Sequence, residues 1–174
     1  MITTDDIRAA HARIAGHIRR TPTMQLSAAT FGTPVPVAMK LEFLQVTGTF
    51  KARGAFNTLL GETMPQAGVC AASGGNHGIA VAHAAATLGI PARIFVPEIS
   101  SPAKIARIRE TGAALVVGGA RYSDALAACE AYAADTGAHS VHAYDAWPTI
   151  AGQGTVGLEW EEDAGGLDTV LVAV

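Results

Sequence analysis

Three short segments combine residue types that chemistry uses. The first is Lys40-Leu-Glu-Phe-Leu-Gln-Val-Thr-Gly-Thr-Phe-Lys51-Ala-Arg-Gly54. Its pattern predicts a strand ending near Glu42, a Gly-containing loop with two Thr hydroxyls, and Lys51 at a helix start. A cation there opposes the positive end of the helix dipole. That field, with partial burial, lowers the amine pKa and frees it as a nucleophile for Schiff-base chemistry. Position alone leaves a second reading open, a solvated lysine on a helix surface.

The second segment, Ala71-Ala-Ser73-Gly-Gly-Asn76-His77-Gly78, falls between a predicted strand and a helix. Its glycines let the backbone approach a ligand, and the N–H groups of a helix start bind anions such as carboxylates. Ser73, Asn76 and His77 add hydrogen-bonding side chains. A tight turn with a Ser or Asn cap is the plainer alternative. The third segment, Gly152-Gln-Gly154-Thr-Val-Gly157, satisfies GxGxxG. A dinucleotide fingerprint follows a strand directly and has an acid at the end of the next strand. Here Asp145-Ala-Trp-Pro148 intervenes and Asp168 begins its predicted strand, so helix–sheet packing at a Gly-rich helix start explains the match better. His139 and His142 fall on a predicted strand and are not a metal pair, and no metal site is expected. His83 reads as structural, and no GxxxxGK[ST], HExxH or GxSxG occurs.

The elements that must position these residues alternate. An N-capped amphipathic helix over 4–19 aligns Ile7, Ala10, Ile14 and Ile18. Strands are predicted at 37–42, 69–72, 93–97, 114–117, 140–144 and 169–174, and helices at 50–60, 76–88, 101–111, 122–135 and 154–161. Such alternation predicts an α/β fold around a mainly parallel sheet. In an open sheet of this kind, ligands sit at the carboxyl ends of strands.

The composition bounds the partners. The 174 residues carry 12 Lys+Arg against 15 Asp+Glu, a net charge of −3, and 49% are hydrophobic. A chain of this length buries roughly 70% of its unfolded surface, and charge is too sparse for disorder. Scattered basic residues argue against nucleic acid. Apolar runs fall short of the ~20 residues of a membrane span, and Met1–Ile14 is no secretory signal. Cys70 and Cys129 form no CxxC, so neither a disulfide framework nor a thiolate zinc site is expected, and the cytoplasm is the default compartment. The apolar run 168–174 reads as a buried strand at which the chain stops, unlike strands that feed a loop.

Together, Lys40-Leu-Glu through Lys51-Ala-Arg-Gly54, Ser73-Gly-Gly-Asn-His-Gly78 and Ala151-Gly-Gln-Gly-Thr-Val-Gly-Leu-Glu159 resemble one family in order and spacing. The chain is similar to the threonine/serine dehydratase and serine racemase group of fold-type II pyridoxal-phosphate enzymes, related to the tryptophan synthase β chain. Thr21-Pro-Thr23 fits as well. The resemblance implies two α/β lobes with open, mainly parallel twisted sheets flanked by helices. Residues 1–57 and 147–174 would belong to the large cofactor domain and 58–146 to the small domain, with the C-terminal half and its phosphate-binding loop absent from this chain. It further implies that Lys51 forms the internal aldimine with pyridoxal 5′-phosphate and moves the Cα proton, with Phe50 near the cofactor ring. Asn76 would bond the 3′ oxygen, and Ser73, Gly74, Asn76 and His77 would hold the substrate carboxylate, chiefly through backbone N–H groups.

The implied reaction is dehydration and deamination of L-threonine or L-serine to a 2-oxo acid and ammonia. Gly74 stands where serine racemases carry a second serine that acts on the opposite face of Cα, which favours dehydration over racemisation. Thr49 replaces a frequent Ser and keeps the hydroxyl. Racemases, β-replacement enzymes and a non-catalytic half needing a companion chain are the alternatives. Partners would be an amino-acid substrate and either further copies of the chain or that companion.

Overall fold

The computed structural model describes residues 1–172. In chain order it contains α1 (Thr4–Ile14), β1 (Thr23–Leu26), α2 (Ala28–Phe31), β2 (Val37–Lys40), α3 (Lys51–Gly61), β3 (Val69–Ala72), α4 (Asn76–Leu88), β4 (Ala92–Val96), α5 (Pro102–Glu110), β5 (Ala114–Val117), α6 (Tyr122–Thr136), β6 (His139–Ser140) and α7 (Trp147–Ala164). The architecture is the expected α/β one. A wholly parallel sheet runs in the order β5-β4-β3-β6, and β1 and β2 form a separate antiparallel pair.

The central strand β3 is buried along its whole length, because helices cover both faces of a parallel sheet. Its residues alternate between two cores. Val69 and Ala71 join Ile94 and Val96 under α3 and α4, while Cys70 and Ala72 join Phe95, Ala125 and Cys129 under α6. Both cysteines are free. The alanines of α4 carry the close packing: Ala80, Ala82, Ala84 and Ala85 are wholly buried.

Several sequence expectations shift. Helix α1 starts with the Thr3/Asp6 capping box and buries Ala10 and Ile14, but ends at Ile14, not residue 19. The chain turns there, the His17 N–H reaching Ile14 O and the His17 ring stacking on Phe56 at 5.1 Å. Strand β6 covers two residues in place of 140–144. His142 Nδ1 accepts the N–H groups of Tyr144 (3.1 Å) and Asp145 (2.9 Å), so these donors turn to a side chain instead of a ladder. The last helix begins at Trp147, seven residues earlier than expected, with Pro148 in its first turn where no donor is needed. Residues 169–172 are not a strand: they find no ladder partner among the described residues, and the rest of that expected strand, 173–174, lies outside them.

The GxGxxG match lies in the middle of α7 and forms no loop. A Cβ on Gly152 would sit 2.6 Å from Arg53 O and 2.7 Å from Gly54 Cα, and one on Gly154 would sit 2.8 Å from Ile7 Cδ1. These glycines let α7 press against α3 and α1. The contact is helix on helix, a correction to the helix–sheet expectation.

Candidate active site

Two of the motif segments, the first and the third, converge on a buried ionic cluster. Arg53, fully buried, donates to both Glu42 oxygens (2.8 and 2.9 Å) and both Glu159 oxygens (2.8 and 2.9 Å), and to Thr155 Oγ1 at 3.1 Å. Lys40 Nζ meets Glu159 at 3.0 Å and Asp163 at 2.9 Å, and Asp163 also pairs with Arg20. Burial opposes the Arg53 charge, yet hydrogen bonds to Glu42 and Glu159 outweigh it and hold the guanidinium above its ordinary value. Burial likewise opposes ionisation of Glu159, but Arg53 and Lys40 keep its carboxyl below the usual range. The cluster ties β2, α3 and α7 together two residues from Lys51.

Lys51 opens α3, and its environment differs in kind. Its half-buried amine donates to the Ala143 carbonyl at 2.9 Å and lies 4.2 Å from the Tyr144 ring centre and 5.1 Å from that of Phe50. No carboxylate pairs with it among the described residues. Burial pushes its pKa below the ordinary lysine value, and the helix start adds an unfavourable dipole field for the cation.

Across from it, Ser73–Gly78 joins β3 to α4 at the carboxyl edge of the sheet. The Gly75 N–H bonds Ser73 Oγ at 3.2 Å. The first turn of α4 presents N–H groups that have no intrahelical acceptor. Asn76 is exposed, and its amide has no partner among the described residues. His77 faces inward: Nε2 meets the Val141 carbonyl at 2.9 Å, while the buried Nδ1 has no partner among the described residues. Burial first, then the nearby Lys51 charge, hold His77 down to about 4, so its ring is neutral at pH 7. Ser73 and Gly74 are half-buried in the same turn.

Thus Lys51 and His77 meet one segment, Val141–Tyr144, through its carbonyls. From its sequence that segment is expected as a strand; it instead lines the space beside Lys51 and His77. Its signal was faint: an aromatic, Tyr144, just before the Asp145–Pro148 break. His139 and His142 do not converge, and among the described residues no group of three His, Cys, Asp or Glu side chains could hold a metal ion. Nor is any described helix long and apolar enough to cross a membrane.

With a lysine at a helix start and a Gly-rich turn opening a second helix, the fold defines a class, and comparison with known proteins places the chain in it. Residues 14–174 match the model of the pyridoxal-phosphate dependent enzyme family, and the chain belongs to that family. It is similar to the phenylserine dehydratase of Ralstonia pickettii, 41% identical over 170 residues, covering 94% of this chain and 50% of the relative. The L-threonine ammonia-lyase of Thermotoga maritima is 39% identical over 176 residues, covering 100% and 44%. Among solved structures, maize serine racemase superposes with a TM-score of 0.87 at 36% identity, covering 94% and 50%. The chain spans about half the length of the curated relatives it matches.

Proposed function

We propose that the protein containing this chain is a pyridoxal-phosphate-dependent ammonia-lyase that converts L-threonine or L-serine to a 2-oxo acid and ammonia. The observation that carries this reading is the Lys51 amine, half-buried, lowered in pKa and faced by a carbonyl and two aromatic rings, with no carboxylate paired to it among the described residues. A lysine so placed, its charged form disfavoured by burial, fits covalent attachment of an aldehyde cofactor. Phe50 would pack by the cofactor ring, and the Asn76 amide, without a partner among the described residues, would bond the 3′ oxygen. When bound, the cofactor supplies an electron sink for the Cα–H electrons.

The chain's own groups do the rest. The Ser73, Gly74, Asn76 and His77 turn holds the substrate carboxylate by backbone N–H groups at the positive end of α4. Lys51 Nζ accepts the Cα proton and passes it to the departing β-hydroxyl, which leaves as water, and hydrolysis of the resulting enamine gives the 2-oxo acid and ammonia. His77, neutral and bonded to Val141 O, keeps a second cation away from Lys51 and fixes the loop against the opposing wall. The named dehydratase and ammonia-lyase relatives support elimination over racemisation.

We also infer two lobes. The β1–β2 pair, α1, α3 and α7, joined by the ionic cluster, support a unit formed by 1–57 and 147–174. The four-stranded sheet supports 58–146 as the other. The family resemblance supports a homo-oligomeric cytoplasmic enzyme, which light scattering and fractionation would measure.

The test uses the full-length protein: 2-oxo acid and ammonia from each hydroxy amino acid, D-serine formation, sulfide incorporation, and borohydride fixation of the visible chromophore. Oxo-acid release with the fixed label on Lys51 is the expected result. Dominant D-serine formation or sulfide incorporation overturns the dehydratase reading, and a label elsewhere overturns the role of Lys51.

A further inference from the structure

Gly74 and Ser100 meet at the carboxyl edge of the sheet. Gly74 follows β3 and Ser100 follows β4, the parallel neighbour of β3, and the Ser73 N–H extends that pairing to Phe95 O at 2.9 Å. Gly74 does not adopt a positive φ, so its missing side chain serves space and not backbone freedom. That space is taken. A Cβ on residue 74 would overlap Ser100 Oγ and lie 2.7 Å from Ser100 Cβ and 3.0 Å from Val96 Cγ1.

The Ser100 side chain therefore stands where a residue-74 side chain would stand. Its backbone is fixed by the turn bond from its N–H to Pro97 O (3.0 Å) and by Pro102 at the start of α5. Rotation of the hydroxyl alone does not clear the overlap, because the Cβ is also too close. The hydroxyl itself makes no hydrogen bond among the described residues, and the residue is half-buried. A fixed, unengaged donor thus lies against the same turn that presents the N–H groups of α4.

We propose that Ser100 is a substrate-positioning residue whose hydroxyl takes the place of a residue-74 side chain and donates to the carboxylate of the bound amino acid. The inference rests on the reading of Ser73–His77 as the carboxylate turn. It makes Gly74 and Ser100 a size-matched pair: one residue is small because the other is present.

The experiment compares Ser100→Ala, Ser100→Gly, Gly74→Ala and Gly74→Ala/Ser100→Gly in the full-length protein. Melting temperatures of the cofactor-free forms read the packing, and steady-state kinetics of the holoenzyme read the hydroxyl. Gly74→Ala alone is expected to lower the melting temperature, and adding Ser100→Gly to restore most of the loss, the non-additivity of touching residues. Ser100→Ala is expected to keep the parental melting temperature and raise the KM for L-threonine roughly tenfold with kcat little changed, as for a bond made equally to substrate and transition state. Additive melting shifts overturn the pairing. An unchanged KM in Ser100→Ala, or a loss confined to kcat, overturns the donor role. If the parent releases no 2-oxo acid, the dehydratase reading fails separately. The donor role is then decided by the L-threonine or L-serine concentration that half-shifts the visible band in the parent and in Ser100→Ala, where an equal midpoint overturns it.

Discussion

Lys40 and Lys51 are both withdrawn from solvent, and both belong to the first motif, yet their surroundings assign them opposite work. Lys40 lies between Glu159 and Asp163, at 3.0 and 2.9 Å, in a cluster where Arg53 is likewise satisfied by two carboxylates. Lys51 has a neutral carbonyl and two rings. Opposite charges nearby favour a charged amine, whereas burial without them favours the neutral form. The first arrangement fixes structure, and the second leaves an amine free to react. Only 11 residues separate the two lysines in the chain, so the neighbourhood, not the residue type, sets the role.

The comparison breaks most sharply at Lys51 itself. Lys51→Ala is expected to reduce oxo-acid release at least ~1000-fold and to abolish borohydride fixation, measured by initial rates and peptide mass. Lys40→Ala, by contrast, is expected to leave the labelled peptide unchanged. Trapping of Lys51 by an aldehyde reagent should show a pH midpoint below that of an ordinary lysine, whose value is 10.5.

The cluster side is tested by removing its central acid. Glu159→Ala leaves Arg53 buried with one carboxylate and Lys40 with Asp163 alone. Breaking a buried pair in this way costs about 3–5 kcal/mol. A melting temperature within a degree or two of the parent would show the cluster to be dispensable.

His77 sharpens the contrast through pH. Its native value of about 4 lies below the ordinary 6.5, so the unfolded chain binds the proton first. Stability is therefore undiminished by this group above pH 6.5 and falls as pH drops from 6.5 towards 4, by roughly 3 kcal/mol in all. His77→Gln is expected to flatten that part of the curve of melting temperature against pH. A parental curve already flat there would place the proton elsewhere.

The smallest effect concerns the close packing that brings the two regions together. Gly152→Ala sets a Cβ 2.6 Å from Arg53 O and 2.8 Å from Asn57 Cβ. Backbone on the facing helix yields little, so a loss of about 1–3 kcal/mol is expected in denaturant unfolding. An unchanged midpoint would mean that α3 and α7 have slack.

Much of this was legible from local pattern. Helix α4 and strands β3 and β5 fall at their expected bounds, because apolar runs punctuated by Gly and Pro leave few alternatives. The two-residue β6 did not, because the acceptor that diverts its continuation is the His142 side chain, which no periodicity encodes. Lys51 and the Gly-rich turn are readable as residue types at a helix start. Their shared wall at Val141–Tyr144 was not, since it comes from 90 residues further along the chain than Lys51.

By itself the sequence determined the α/β rhythm, the Lys51 and Ser73–Gly78 segments and, through their order, the family. The tertiary structure decided which lysine is free and which is held, that the GxGxxG run is a helix crossing, and that Ser100 fills the place beside Gly74. Each of these depends on which distant groups arrive within a few ångströms. Charge pairing, desolvation and steric fit act at that range whatever the separation along the chain.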